Sequence, residues 1–348
     1  MSDGLEILPV RGMGDVTAGD DLAELITNAA PWLRDGDVLV VTSKIVSKAE
    51  GRLVEVPADG PEREVAREEI LAAETARVVA RRGPTAIVQT HHGFVMAAAG
   101  IDASNVDKTH LVLQPADPDA SARALHAALA RRRLQVGVII SDTMGRAWRN
   151  GLTDVALGAA GIAPLRDHRG EIDPYGNELQ LTEMAVIDEL AGAGELVKGK
   201  CDQVPVAVVR GYPGAGPGGR AGAVALLRDP ASDMFSLGTA EARSAGLRDA
   251  ATLADVLPGG PINPAAVEHA LATVADAIAP GTVVTPAEIL PDNGATAALH
   301  LTPPSSTPAA LMRLGADAHR LRAALAAEGV ASASLTQHDG LLLALSAR

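Results

Sequence analysis

Cysteine is almost absent. Cys201 is the single one in 348 residues, which excludes an intramolecular disulfide and any zinc site built on paired thiolates, and fits a reducing cytosol. Aromatic residues are nearly as scarce, with two Trp, two Tyr and two Phe. Hydrophobic residues make up 47% and charged residues 21%, so a packed core is available, but it must be assembled from Ala, Val, Leu and Ile. No stretch reaches the ~18 uninterrupted apolar residues of a membrane-spanning helix. The opening Met-Ser-Asp-Gly-Leu-Glu also lacks the basic segment and following apolar run that direct secretion. Positive charge is in deficit as well: 30 Lys and Arg stand against 43 Asp and Glu, a net charge of −13. Such a surface repels polyanions and disfavours general nucleic-acid binding. An anionic ligand must then be met by a local cluster of cations. The expectation is a soluble cytoplasmic protein with neither nucleic-acid nor membrane partners.

What is there divides unevenly. Single cores usually stop growing near ~250–300 residues, so a main domain over residues 1–250 and an appendix over 258–348 are expected, with Pro258-Gly259-Gly260-Pro261 as the boundary. Residues 20–34 read as an amphipathic helix capped by Asp20 or Asp21. The apolar run Val38-Leu39-Val40-Val41 reads as a buried strand that discharges into Thr42-Ser43-Lys44. Residues 63–82 are charged and Ala-rich, a helix by pattern. Residues 86–100 look like a hairpin around His91-His92-Gly93. A helix over 119–133 leads to Val136-Gly137-Val138-Ile139-Ile140, a second buried strand ending in Ser141-Asp142-Thr143. A third strand, 204–209, runs into the Gly/Pro-rich loop 211–219. Beyond residue 250 the composition turns Ala- and Pro-rich, with helical pieces at 264–278 and 308–328, an α-rich appendix.

Three segments could carry chemistry. Asp142-Thr143-Met144-Gly145-Arg146-Ala147-Trp148-Arg149 sets a carboxylate, a hydroxyl and two guanidinium groups after a buried strand. Oxygen donors suit hard divalent cations, and Arg forks suit phosphate or carboxylate; the plainer alternative is a strand-to-turn junction capped by Asp142. Asp102, Ser104 and Asn105 crowd a turn after Gly100 and read equally as an Asx turn. Ser43, Lys44, Ser47 and Lys48 sit at a strand end and could hold phosphates, although the glycine spacing of a Walker loop is missing and Lys48 could be simply solvated. The His91-His92 pair is discounted as a metal site because neighbours on a strand point to opposite faces.

Together these segments resemble one family. Gly36-Asp37-Val38-Leu39-Val40-Val41, Ser47-Lys48-Ala49-Glu50-Gly51-Arg52, Ala99-Gly100-Ile101-Asp102-Ala103-Ser104-Asn105-Val106, Val136 to Thr143 and Pro205 to Gly211, in that order, are similar to the coenzyme F420-0:L-glutamate ligases, over roughly residues 5–245. The resemblance implies an α+β fold with mixed sheets and a homodimer. It implies metal binding, Mg²⁺ or Mn²⁺, at Asp102, Asp142 and Thr143. It implies GTP contacts near Met13, Gly14, Asp15 and Val16, at Ser43, Lys44, Lys48 and Asn105, and along Lys198-Gly199-Lys200. Catalytic weight falls on Asp102, Asp142 and Lys48. Lys200 stands where some relatives place a further metal ligand, and an ammonium cannot ligate a cation. Arg146, Arg149 and Arg169 are offered as contacts for the anionic acceptor.

The reaction so implied phosphorylates a carboxylate of F420-0 with GTP and then joins L-glutamate to it through an acyl phosphate, with possible extension of a γ-linked tail. Residues 258–348 resemble scraps of a nitroreductase-like domain too short to rebuild a flavin site, so FMN is not expected. The alternatives are a bifunctional ligase and FMN-dependent reductase, and a nucleotide-binding regulatory subunit without turnover.

Overall fold

The computed structural model describes residues 4–214, 221–288 and 294–348, so the part of the expected Gly/Pro loop from 215 to 219 lies outside the described residues. The chain forms two compact units, Met1–Ala240 and Glu241–Arg348. Among the described residues no helix is long and apolar enough to cross a membrane.

The first unit begins β1 (Glu6–Val10), α1 (Leu22–Ala29), β2 (Val38–Thr42), α2 (Ser43–Ala49), β3 (Leu53–Glu55), α3 (Gly60–Ala73), β4 (Thr75–Arg82), β5 (Thr85–Thr90), β6 (Val95–Ala97), β7 (His110–Val112) and α4 (Pro118–Arg131). It continues with β8 (Gly137–Arg146), β9 (Arg149–Ala160), β10 (Arg166–Asp167), β11 (Glu183–Met184), α5 (Val186–Lys198) and β12 (Val206–Arg210). Five strands make the central sheet in the order β1-β12-β2-β8-β9. Only β2 and β8 run parallel, Val38 opposite Gly137 and Thr42 opposite Ser141. The sheet is therefore mixed, as an α+β fold requires.

Both faces of this sheet are covered, which is why its strands read as unbroken apolar runs. Leu39, Val41, Val138, Ile140, Val206 and Val208 pack with Ile26 of α1, Ile45 of α2 and Leu125 and Leu129 of α4. The alternate residues Val38, Val40, Ile139, Ala207 and Val209 pack with Ile187, Leu190 and Ala191 of α5. Helix α5 lies so close that a Cβ on Gly194 would fall 2.9 Å from Val40 Cβ. The β8-β9 pairing shifts register twice, once at the hairpin tip between Gly145 and Arg146 and once where it steps from Ile140 opposite Gly158 to Ser141 opposite Ala156, leaving Leu157 as an extra residue in β9.

Several sequence expectations change. Asp21 does cap α1, accepting from Glu24 N, but the helix ends at Ala29. The predicted helix 63–82 stops at Ala73, and Thr75–Arg82 instead becomes β4, pairing with β5. Val78 and Val79, stiff at χ1, favour the strand there. The polar segment after β2 is helical, Ser43 and Lys44 beginning α2. Strand β8 does not end at Ile140 but runs on to Arg146 and folds back as β9, so Asp142 is a strand residue and not a cap.

The second unit comprises α6 (Thr239–Ala251), whose first turn straddles the division, then α7 (Pro264–Val274), β13 (Val283–Pro286), β14 (Ala297–Thr302), α8 (Pro308–Ala327), β15 (Val330–Thr336) and β16 (Leu341–Ala347). Helices α7 and α8 arise where the sequence placed them, but they share a core with Leu299, Leu301, Leu343 and Leu345 of an antiparallel sheet ordered β13-β14-β16-β15. That sheet was missed because short Ala- and Leu-rich strands lack a β-branched signature. Nor is Pro258-Gly259-Gly260-Pro261 a linker. Gly259 N donates to Ser346 Oγ, Gly260 O accepts from Ala347 N and Thr296 Oγ1, and Asp255 pairs with Arg322 at 2.9 Å. The segment is bonded into the unit's own sheet.

Candidate functional site

The parallel pair β2 and β8 delivers its polar residues side by side, Thr42 opposite Ser141. Helix α2 leaves directly from β2, and its Lys44 and Lys48, one turn apart, share a face. Both reach the same segment. Lys44 Nζ lies 2.6 Å from Asp102 Oδ2 and 2.7 Å from Ser104 Oγ, and Lys48 Nζ donates to Asn105 O at 2.9 Å. Asp102 also accepts from Ser104 N at 2.7 Å, so the Asx turn is real and presents the carboxylate as well. Desolvation pushes the Asp102 carboxyl up, but the Lys44 ammonium and the Ser104 donors outweigh it and hold the group below the ordinary carboxylate range. Beside this cluster opens a cavity of about 580 Å³ lined by Asp15, Val16, Lys48, Asn105 and, from outside the predicted set, Thr17, Asp107, His110 and Gln203.

Strand alternation separates Asp142 from its neighbours. Asp142 accepts from Thr143 N at 2.8 Å and from the Gln114 side-chain amide, and no cation contacts it among the described residues. Burial, with the charges of Asp154 and Asp102 adding to it, pushes the carboxyl up to about 6. A half-buried carboxylate that feels the charge of Asp102, both offering oxygen, fits a hard divalent cation. Among the described residues no three His, Cys, Asp or Glu side chains converge into a cage. The donor set therefore matches an ion held by one or two carboxylates that fills its shell with water and phosphate oxygens.

On the other face, toward α5, sits a buried network that the sequence reading did not foresee. Asp154, 3% exposed, accepts from Lys198 Nζ at 2.8 Å and Ser141 Oγ at 2.9 Å through one oxygen, and from Thr143 Oγ1 at 2.7 Å through the other. Lys198, 2% exposed, also reaches Thr42 Oγ1, Ser141 Oγ and Glu195. Desolvation pushes the Asp154 carboxyl up, and the Lys198 charge reverses that and holds it below its usual range. The bulge at Leu157 aims this residue: Ala156 and Ala159, three apart, both pack toward α5, so the phase of β9 has shifted and Asp154 follows it. A lone carboxylate in the otherwise small and apolar run from Leu152 to Ala160 was the available signal.

The remaining predicted residues scatter. Met13 and Val16 are buried in the core, although Val16 also lines the cavity. Gly14 takes φ of +70°, a conformation glycine adopts without strain. Ser43 is buried at the start of α2. Lys198, expected to touch nucleotide, instead has its ammonium enclosed by protein acceptors, so a phosphate could reach it only by breaking a buried pair. Gly199 ends α5, and Lys200 Nζ donates to Thr143 Oγ1 at 2.7 Å and pairs with Glu195. Arg146 and Arg149 flank the exposed tip of the β8-β9 hairpin, where Arg146 donates to Asn150 O. Arg169 is held bidentately by Asp167 at 2.7 and 2.6 Å. None of the three arginines lines the cavity. His91 and His92 lie in the turn between β5 and β6 and bond to different carbonyls, Ala73 O and Ala116 O.

Comparison with known proteins places the first unit in a family. The profile of the family described as F420-0:Gamma-glutamyl ligase matches residues 12–211, inside the first unit. The Coenzyme F420:L-glutamate ligase of Methanothermobacter thermautotrophicus is 40% identical over 252 residues, covering 67% of this chain and 99% of that protein. Proteins of the same description from Methanopyrus kandleri and Archaeoglobus fulgidus are each 40% identical, over 254 and 231 residues, covering 66% and 62% of this chain and 97% and 90% of theirs.

Proposed function

This chain belongs to the F420-0:gamma-glutamyl ligase family, and from that membership we propose that it ligates L-glutamate to coenzyme F420-0 with GTP as phosphoryl donor and a divalent metal ion as helper. The observation that carries the nucleotide part is the convergence of Lys48, Asn105, Asp15 and Val16 on one 580 Å³ cavity beside Asp102 and Lys44.

The chemistry follows from the leaving group. A carboxylate cannot lose oxide to an amine, so its oxygen first attacks the γ-phosphorus, the bond to the β–γ bridging oxygen breaks and GDP departs. The acyl phosphate is then attacked by the glutamate amine, which loses a proton as inorganic phosphate leaves and the amide forms. The divalent ion supplies charge neutralisation at the β- and γ-phosphate oxygens. Asp102 and Asp142 are the residues proposed to hold it, through carboxylate oxygens on the side away from α5. Lys44 and Lys48 are placed to meet phosphate oxygens as mobile point charges on a fixed helix. Their present partners are the Asp102 carboxylate and Ser104 hydroxyl for Lys44 and the Asn105 carbonyl for Lys48, and phosphate oxygens would replace them or share the ammoniums with them.

The assembly is proposed to be a homodimer, and the second unit to bind no FMN and take no part in ligation. A mass spectrum of products from F420-0, L-glutamate and GTP with Mg²⁺ or Mn²⁺ tests the activity. The expected species is F420-0 enlarged by one or more glutamyl units with GDP formed in step. Product with ATP but not GTP, or none in a folded protein supplied with both metals, would overturn the reading.

A further inference from the structure

Asp102 and Asp142 come from separate segments of the chain, and the side chain of Gln114 bridges the two. Its Nε2 donates to Asp142 Oδ2 and, at 3.3 Å, to the carbonyl of Gly100, which starts the turn bearing Asp102. The backbone adds a second tie on the same segment: Asp102 N donates to Val112 O at 3.0 Å and Val112 N to Asp102 O at 2.8 Å. Gln114 is itself held fast. It is 5% exposed, and its carbonyl accepts at 3.0 Å from Arg52 Nε, on a guanidinium clamped by both oxygens of Glu74. A Cβ on Gly100, where φ is +69°, would collide with the Gln114 amide, so the turn is fitted against it.

The orientation of that amide follows from its neighbours. Turned over, it would set oxygen against a carboxylate and a carbonyl, acceptor on acceptor. As it stands, Gln114 Oε1 is buried and no donor reaches it among the described residues. Buried polar atoms are ordinarily partnered, so the bonds at the nitrogen end decide how the group sits. Thr143 N donates to the other Asp142 oxygen at 2.8 Å. Each oxygen of Asp142 thus has one donor fixing the carboxylate plane and a lone pair left over.

We propose that Gln114 is a positioning residue for the ligation reaction: it holds the Asp142 carboxylate at a set spacing from the Asp102 turn and thereby favours a small divalent ion over a larger one. The inference rests on the proposed role of Asp102 and Asp142 as holders of the ion. Mg²⁺ demands near-octahedral oxygens at roughly 2.0–2.1 Å, whereas Ca²⁺ accepts an irregular shell at roughly 2.3–2.6 Å. A braced pair of carboxylates discriminates between them, and a loose pair does not.

Gln114→Met keeps the length of the side chain and removes its donor. Mn²⁺ is titrated into the full chain, free ion being read by electron paramagnetic resonance, and Mg²⁺ and Ca²⁺ are then measured by competition. The variant should bind Mn²⁺ and Mg²⁺ roughly tenfold more weakly or worse, the usual loss when the partner of a metal ligand is removed. Its preference for Mg²⁺ over Ca²⁺ should fall by about threefold or more. GDP affinity in EDTA should stay at the parental value, which a general collapse of the site would not allow. Unchanged Mg²⁺ affinity, or a loss that leaves the Mg²⁺-over-Ca²⁺ preference where it was, overturns the positioning role. Asp142→Asn tests the prior reading separately: if that variant binds Mn²⁺ like the parent, the ion is not held there and both readings fall. Should Gln114→Met fail to fold, Gln114→Asn, whose amide stops one methylene short of Asp142, is held to the same criteria.

Discussion

Replacing Asp142 by Asn should abolish ligation and at the same time stabilise the metal-free protein. The carboxyl stands at about 6 in the folded chain against 3.8 for an unperturbed Asp. That raised value means folding favours the protonated form. The stability it contributes is complete below pH ~4, is lost as pH rises through about 6, and stays lost at neutrality. At 1.36 kcal/mol per pKa unit the loss approaches ~3 kcal/mol. The substitution removes it but disturbs two hydrogen bonds, since the carboxylate accepts from Thr143 N on one oxygen and from the Gln114 amide on the other. A half-turn of the Gln114 amide would offer the introduced NH2 an acceptor, the buried and unpartnered Gln114 Oε1, at the cost of the 3.3 Å bond to Gly100 O. Subtracting ~1 kcal/mol for that bond leaves a net gain of about 2 kcal/mol at pH 7 and a net loss of up to about 1 kcal/mol near pH 4. Mg²⁺ or Mn²⁺ should reverse the order, stabilising the parent and leaving the variant unmoved.

Urea denaturation in EDTA at pH 4 and pH 7 reads this directly. Trp32 and Trp148 are the only tryptophans in the chain and both belong to the first unit, so their fluorescence follows that unit alone. A variant destabilised equally at both pH values would refute the account of Asp142 as a strained, uncompensated carboxylate. A variant that turns over at the parental rate would refute its place in the metal site.

Four further outcomes are expected. Lys48→Ala should weaken GTP binding about tenfold or more while leaving Mn²⁺ binding in the absence of nucleotide nearly unchanged, because the loss of one charge-assisted bond is worth about 1.5–3 kcal/mol; equal nucleotide dissociation constants by calorimetry would return Lys48 to a solvated lysine. Lys198→Ala should cost the first unit about 3–5 kcal/mol at pH 7 in denaturant titration, since Asp154 is left buried and unpaired. Gly194→Ala should cost about 1–3 kcal/mol by forcing α5 off Val40, with GTP affinity retained. A chain ending at Ala240 should remain soluble and ligate glutamate at a rate close to the full chain, whereas a cut at residue 258 should aggregate, because it strands α6 and the Ala254-Asp255 segment that bonds to Arg322 without their partners; a soluble 1–240 chain without activity would show that the second unit is needed.

Much of the molecule was legible in one dimension. The strands β2, β8 and β12 announced themselves as apolar, β-branched runs because both faces of their sheet are covered, and the polar residues after Val41 and after Ile140 had to emerge together once β2 and β8 paired in parallel. Lys44, Lys48, Asp102 and Asn105 were nameable from local sequence, and the structure brings them into contact across some sixty residues of chain. The four-stranded sheet of the second unit was not nameable, since Ala- and Leu-rich strands look like helix. Nor was the boundary, because Pro258 to Pro261 has linker composition and yet pairs with β16. The network behind Thr143 depended wholly on tertiary structure. Asp154 faces α5 only because Leu157 is an extra residue in β9, and Lys198 is buried only because Gly194 lets α5 settle onto Val40. Residue types and periodicity decide which segments are buried and which side chains stand at strand ends. Strand phase and helix approach depend on contacts between distant segments, and they decide which of two adjacent residues, Asp142 or Thr143, faces which partner.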